Sequence, residues 1–261
     1  MKITILGSGG SGGVPLINGF WGRCNSNNPK NRRRRVSVLI QIKDDNILID
    51  TSPDLRQQLL DARISKIDYI LYTHDHADHT HGIDDLRFLE RPIGKKAFPC
   101  YGSSQTISSL KQRFPYAFKQ KEASAVTQEA LYEPLLDPVS IKDDFIISNN
   151  IFIQSFQQGH GPNFESTGYR IGGFAYSTDT NFLSTAALDK LKNLDIWIVD
   201  CLSWKQHITH AHVDQVLSWV QQIRPKRILL THLSTQLDYD ELKAYCPAEV
   251  EPAYDGLEIV L

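Results

Sequence analysis

Branched apolar residues gather in short runs, Lys2 to Leu6, Val36 to Ile42, Ile47 to Thr51 and Ile67 to Tyr72, each stopping at turn formers, which predicts β-strands. Ser52-Pro53-Asp54 reads as a helix start, with a capping hydroxyl, proline at the first helical position and an acid at the positive dipole end, leading into a helix over Leu55 to Ile64. A second block repeats the mixture. Strands are predicted near Ile151 to Phe156, Gly168 to Ser177, Ile196 to Asp200 and Ile228 to Thr231, and helices over Thr185 to Lys192 and His212 to Ile223. In the last helix Val213, Val216, Leu217, Val220 and Ile223 recur at three- and four-residue steps and form one stripe that packs on a sheet. Mixed sheets faced by helices are the expectation. Phe114 to Pro138 has the weakest periodicity and reads as a loop or insertion over the site. No repeat, low-complexity tract or Pro/Gly/Ser-rich linker divides the chain, so residues 1–261 are read as one domain.

Composition narrows the classes. Hydrophobic residues make up 41% and charged residues 22%, as in a soluble globular protein. The net charge of -2 gives no overall pull towards nucleic acid or anionic membrane, so anion binding must come from a local cluster such as Lys30 to Arg35. Cys24, Cys100, Cys201 and Cys246 lie far apart with no C-x-x-C pair, which argues against a disulfide framework or cysteine-rich zinc module and for a reducing compartment. The opening residues hold no apolar stretch fit for a signal peptide and no span reaches membrane length; the expected location is the cytoplasm.

Chemistry concentrates in Thr73-His74-Asp75-His76-Ala77-Asp78-His79, which follows the apolar run Tyr69-Ile70-Leu71-Tyr72. Residues two apart in an extended segment point the same way, so His74 and His76 can present imidazoles to one ion, while Asp78 and His79 come after the turn and can reach a second. His160, Asp179 and His232 each end or follow a strand-like run and complete two coordination spheres. The assignment gives His74, His76 and His160 to one metal and Asp78, His79 and His232 to the other, with Asp179 bridging. Imidazole with carboxylate suits zinc, manganese or iron. Two such cations about 3.5 to 4 Å apart would hold a hydroxide aimed at an electrophile.

The His-x-His-x-Asp-His motif with the later His, Asp and His in this order resembles the metallo-β-lactamase superfamily, over nearly the whole chain. Within it, Leu6 to Pro15, Pro29 to Arg35 and Pro252-Ala253-Tyr254-Asp255-Gly256 look like the PhnP-type cyclic phosphodiesterases, a group related to ribonuclease Z. The resemblance implies an α/β fold of the αββα sandwich type, two mixed sheets with helices on the outer faces, and a site at the sheet edges. It implies two divalent ions, zinc or manganese, and hydrolysis of a small cyclic or nucleotide-like phosphate ester. Some PhnP-type members carry a cysteine cluster that holds a structural zinc; here that region has only Cys24.

Phosphodiester hydrolysis also needs a proton for the leaving oxygen and relief of the phosphorane charge. His210 matches in spacing the histidine used near the phosphate in ribonuclease Z-like enzymes and is the candidate acid or phosphate donor, with His207 and His212 as competitors. Asp78 can share a proton with the attacking water, as the resemblance implies; His81 is read as supporting a ligand from behind or lying at the surface rather than ligating. The Gly7 to Gly13 loop, which contains Ser11, either lets backbone N–H groups approach a phosphate or forms a tight bend. Of the four arginines Arg32 to Arg35 at most two can face one partner, and Arg34 and Arg35 are the candidates. A ribonuclease Z-like nuclease is the second reading, against which stand the net negative charge and the lack of a recognisable RNA-binding arm. A non-catalytic nucleotide or phosphate binder is the third; a β-lactamase is disfavoured by the bridging aspartate. Partners are a small phosphate ester and no membrane, with room for a homodimer.

Overall fold

The computed structural model describes residues 1–118, 134–148 and 150–261. Several strands carry consecutive apolar residues, as strands covered on both faces must. In β1 (Lys2–Gly7), β2 (Ser37–Ile42), β3 (Asp45–Ile49) and β4 (Tyr69–Leu71), the side chains of Ile3, Ile5, Val38, Ile40, Ile47, Ile49 and Leu71 face inward, while Leu39, Leu48 and Ile70 face the other way. Adding β5 (Phe98–Ser103), β6 (Leu136–Ile141) and β14 (Glu258–Val260) gives a sheet in the order β14-β1-β2-β3-β4-β5-β6. Pairing is antiparallel from β14 to β3 and parallel from β3 to β6.

The second sheet is ordered β13-β12-β11-β10-β9-β8-β7, from β7 (Phe145–Ile147), β8 (Ile151–Gly159), β9 (Glu165–Ile171), β10 (Phe174–Ser177), β11 (Ile196–Asp200), β12 (Arg227–Thr231) and β13 (Val250–Pro252). Tyr169, Phe174, Tyr176, Ile196, Ile198 and Leu229 meet the first sheet in a shared core. Outside the first sheet lie α1 (Leu55–Ala62) and α3 (Ser104–Arg113), seated through Leu55, Leu59, Ile107 and Leu110. Outside the second lie α4 (Thr185–Lys190), α5 (Val213–Ile223) and α6 (Tyr239–Tyr245); α5 buries Val213, Val216, Val220 and Ile223, the predicted stripe but for Leu217, which is only partly buried. The result is the αββα sandwich of the metallo-β-lactamase fold. Among the described residues no helix is long and apolar enough to cross a membrane.

Three local expectations are corrected. Gly168 to Ser177 is not one strand: Gly172, at φ 57°, turns the chain between β9 and β10, a conformation that costs glycine little. Helix α1 begins after Asp54, not at Pro53, because the Ser52 hydroxyl accepts the Asp54 N–H in a tight turn and the Asp54 carboxylate accepts the Arg35 N–H. The stretch from Phe114 to Pro138 is not wholly loop, since β6 starts at Leu136 and pairs with β5; residues 119–133 lie outside the described residues.

Candidate metal centre

The chain turns at one end of the sandwich, and polar side chains cluster there. After β4 come Thr73, His74 and His76, then α2 (Ala77–Thr80), which carries Asp78 and His79. His160 follows β8, Asp179 follows β10, Asp200 ends β11 and His232 follows β12. Asp179 and His232 have φ of 53° and 59°, left-handed values at which the strands break off. Asp and His accept this region more readily than most residues with a side chain.

A group of Asp200, His210 and His232 lies beside two that share Asp179, namely His74, His76, His160 and Asp179, and Asp78, His79, Asp179 and His232, the ligand atoms within each group lying within 4.8 Å of one another. Asp179 joins the latter two through different oxygens. Its Oδ2 lies 3.7 Å from His74 Nε2 and 3.5 Å from His160 Nε2, while its Oδ1 lies 3.2 Å from His79 Nε2 and 3.4 Å from His232 Nε2. Asp78 Oδ2 lies 3.4 Å from His79 Nε2 and 3.5 Å from His232 Nε2. All seven predicted ligands are therefore brought together, in the predicted grouping.

The donor set suits cations. Nε2 of His74 and of His79 are buried without a hydrogen bond, although each faces a carboxylate oxygen, of Asp179 at 3.7 Å for His74 and at 3.2 Å for His79. The opposite ring nitrogens are held from behind: His74 Nδ1 lies 3.0 Å from Thr73 Oγ1, His79 Nδ1 lies 2.8 Å from Asp50 Oδ2, and His160 Nδ1 lies 2.8 Å from the Thr209 carbonyl. Such contacts fix ring orientation and leave Nε2 for a metal. Asp50 also receives the Thr73 N–H and hydroxyl.

Titration follows the same geometry. Burial holds His74, His76 and His160 below the usual imidazole range. Burial acts on His79 in the same direction, but Asp179, Asp78 and Asp50 outweigh it and raise His79 well above that range. For Asp179, burial is overcome by His232, His79 and His210, so its carboxyl sits well below the carboxylate range. His79 thus holds a proton opposite its carboxylates, a position where a cation would replace it.

His210 lies beside the cluster. Its ring stacks on that of His232 at 4.5 Å, its Nε2 lies 3.9 Å from Asp179 Oδ2, and its Nδ1 donates to Asp200 Oδ2 at 2.9 Å. Burial opposes its charge, yet Asp200 and Asp179 push it up to about 9. His207 is exposed, with ring centroid 5.4 Å from that of His210, and His212 precedes the first turn of α5 without a side-chain capping hydrogen bond. His81 is exposed and pairs with Arg113.

The Beta-lactamase superfamily domain profile matches residues 45–233 of this chain. The chain belongs to the β-lactamase superfamily. A crystal structure described as a new diphosphatase from the PhnP family is 34% identical, with a TM-score of 0.87 and coverage of 100% of this chain and 97% of that one. The short form of human tRNase Z shares the fold, at 15% identity, a TM-score of 0.71 and coverage of 100% and 99%. An octanoyltransferase of Porphyromonas gingivalis is 31% identical over 100% of this chain but only 52% of its own length, so the chain spans about half of that curated relative.

In this superfamily member the anion candidates are already engaged. Arg34 pairs with Asp61 at 2.8 Å and Asp255 at 3.1 Å, and Arg35 with Asp54 at 3.1 Å. Arg33 is buried: its guanidinium donates to the carbonyls of Ser234 and Leu237 and to Asn31, and Cys24 Sγ lies 3.8 Å away. Ser11 is exposed on a turn. Close packing accounts for much of the glycine loop. A Cβ on Gly7 would stand 2.0 Å from the Arg35 carbonyl oxygen, and one on Gly10 would stand 3.3 Å from the His232 ring. The N–H groups of Ser8, Gly9, Gly10 and Gly13 are bonded within the protein. Asp50 and Asp200 were not singled out from sequence. The available signal was an acid ending a run of branched apolar residues, Ile47-Leu48-Ile49 before Asp50 and Ile198-Val199 before Asp200.

Proposed function

We propose that the chain is a dinuclear metal-dependent phosphodiesterase acting on a small cyclic or nucleotide-like phosphate ester. The observation that carries this reading is the split carboxylate of Asp179, with one oxygen towards His74 and His160 and the other towards His79 and His232. His74, His76 and His160 would hold one ion, Asp78, His79 and His232 the other, and Asp179 both; zinc and manganese suit the donors. Divalent ions bound there supply Lewis acidity and lower the pKa of a coordinated water.

The chain's own residues supply the rest. Asp78, held as a carboxylate against its burial by His79 and His232, accepts a hydrogen bond from the attacking water and shares its proton. His210, kept protonated by Asp200 and Asp179, delivers a proton to the leaving oxygen or steadies the phosphoryl charge. Arg34 and Arg35 contribute to substrate binding only where a phosphate displaces Asp61, Asp255 or Asp54, whereas Ser11 is exposed and free of those acids.

The diphosphatase relative, at 34% identity over the whole chain, favours a second reading in which the bond broken is a phosphoanhydride. The octanoyltransferase name belongs to a protein about twice as long. Acyl transfer through a thioester would need a thiolate, and burial raises the thiols of Cys24, Cys100, Cys201 and Cys246, which works against one. A turnover panel of cyclic phosphates, linear diesters, diphosphates, RNA and thioesters on metal-analysed protein tests the reading. Hydrolysis of RNA with small esters untouched would overturn it.

A further inference from the structure

The loop that brings His210 to the metal centre has little of its own to hold it. Lys205, Gln206, His207 and Ile208 are exposed, Ile208 at 71%, so apolar burial does not fix the tip. Among the described residues, two hydrogen bonds reach residues 206–209 from elsewhere in the chain. One runs from His160 Nδ1 to the Thr209 carbonyl at 2.8 Å, and the other from Asn181 Nδ2 to the Ile208 carbonyl.

Asn181 is itself anchored on three sides. Its backbone N–H donates to the Gly159 carbonyl at 2.8 Å, its Oδ1 accepts the Gly161 N–H at 3.2 Å, and its own carbonyl accepts Gln215 Nε2 of α5 at 2.7 Å. It therefore grips the chain on both sides of His160 and reaches the His210 loop with the amide group that is left. The two loops pack closely: Gly161 has a φ of 97°, and a Cβ there would stand 2.6 Å from Thr209 Cγ2. The ring centroids of His160 and His210 are 4.8 Å apart.

We propose that Asn181 is a positioning residue, which sets His210 against the first ligand group by tying the His160 loop to the His210 loop. The inference rests on the reading of His210 as acid or phosphate donor given above. Without the Asn181 amide the tip keeps one bond from outside, made by His160 itself, and His210 loses its fixed distance from the reacting phosphate. A displacement of about 1 Å in a catalytic group can cost on the order of a hundredfold in rate.

Two variants test it. Asn181→Asp keeps an acceptor for the Gly161 N–H and loses the donor to Ile208, and Asn181→Ala loses both. The first readout is trypsin cleavage of metal-free protein after Lys205, taken as a ratio to cleavage after Lys226, an exposed site that global unfolding would open alike. The ratio should rise at least about fivefold in both variants. An unchanged ratio overturns the tie. The second readout is steady-state hydrolysis of a cyclic phosphate by metal-loaded protein. Asn181→Asp should lower kcat about tenfold, with KM within about twofold and metal content unchanged, and should lower it no further in a His210→Gln background. The same tenfold loss repeated in that background overturns the assignment, because a residue acting through His210 has nothing left there to disturb. If the wild type hydrolyses no phosphate ester, the functional reading fails, and the cleavage ratio alone decides the tie.

Discussion

Asp200 Oδ2 accepts His210 Nδ1–H at 2.9 Å, while its other oxygen, Oδ1, faces His232 Nδ1 at 3.9 Å. One carboxylate thus stands behind both the candidate acid and a candidate ligand, and both Asp200 Oδ1 and His232 Nδ1 are buried without a hydrogen-bond partner. The backbone N–H of Thr180 fixes Oδ2 from a third side.

Asp200→Asn keeps the shape and removes the charge. Turnover at saturating substrate should fall about 10- to 100-fold, as for other residues that orient metal-site groups, with protein-bound metal retained. Steady-state kinetics beside elemental analysis check this. An unchanged kcat would remove His210 from the reaction.

Metal-free protein should show the His210–Asp200 contact in its pH dependence. The folded-state pKa of His210, about 9, exceeds the ordinary imidazole value, so its contribution is fully present below that ordinary value and is lost as pH rises through about 9. The shift corresponds to stabilisation on the order of 3 kcal/mol. The gap in Tm between wild type and His210→Gln should therefore be wider near pH 6 than near about pH 9.5. A constant gap would contradict it.

Metal binding should release protons, because His79 is held protonated by three carboxylates and must give up its proton to ligate. Calorimetry in two buffers of different ionisation enthalpy measures the release. Elemental analysis should give about two ions per chain. Asp179→Ala, which strips a donor from both groups, should lower both occupancies, whereas His160→Ala should weaken chiefly one.

Arg33 and Arg34 are adjacent in sequence and opposite in role. Arg33→Met leaves buried carbonyls without their donor and should cost about 2–4 kcal/mol in denaturant unfolding, with metal content unchanged. Asp61→Ala, which breaks only the exposed half of the Arg34 pairing, should cost less than about 1 kcal/mol.

The seven candidate ligands that the structure brings together were legible because each ends or follows a strand-like run and the residue types able to ligate a metal are few. The sandwich was legible from runs such as Val38-Leu39-Ile40, which require cover on both faces. Other parts were hidden for physical reasons. β6 contains Pro138, tolerated because β6 is an edge strand of the described sheet, and β5 contains Pro99 and Gly102, so neither reads as a strand. α3 has only Ile107 and Leu110 as large apolar residues. The carboxylates that occupy Arg34 lie 27 and 221 positions away, beyond the reach of any local pattern.

The left-handed turns at Asp179 and His232 carry a cost as well as a direction. Side chains in that region give up about 1 kcal/mol or more that glycine would keep, so the scaffold spends durability to aim these two groups. Glycine at either position should melt higher than alanine there, though both lack a ligand. Breeding this chain for heat resistance without watching its catalysis would erode the centre first at those two corners.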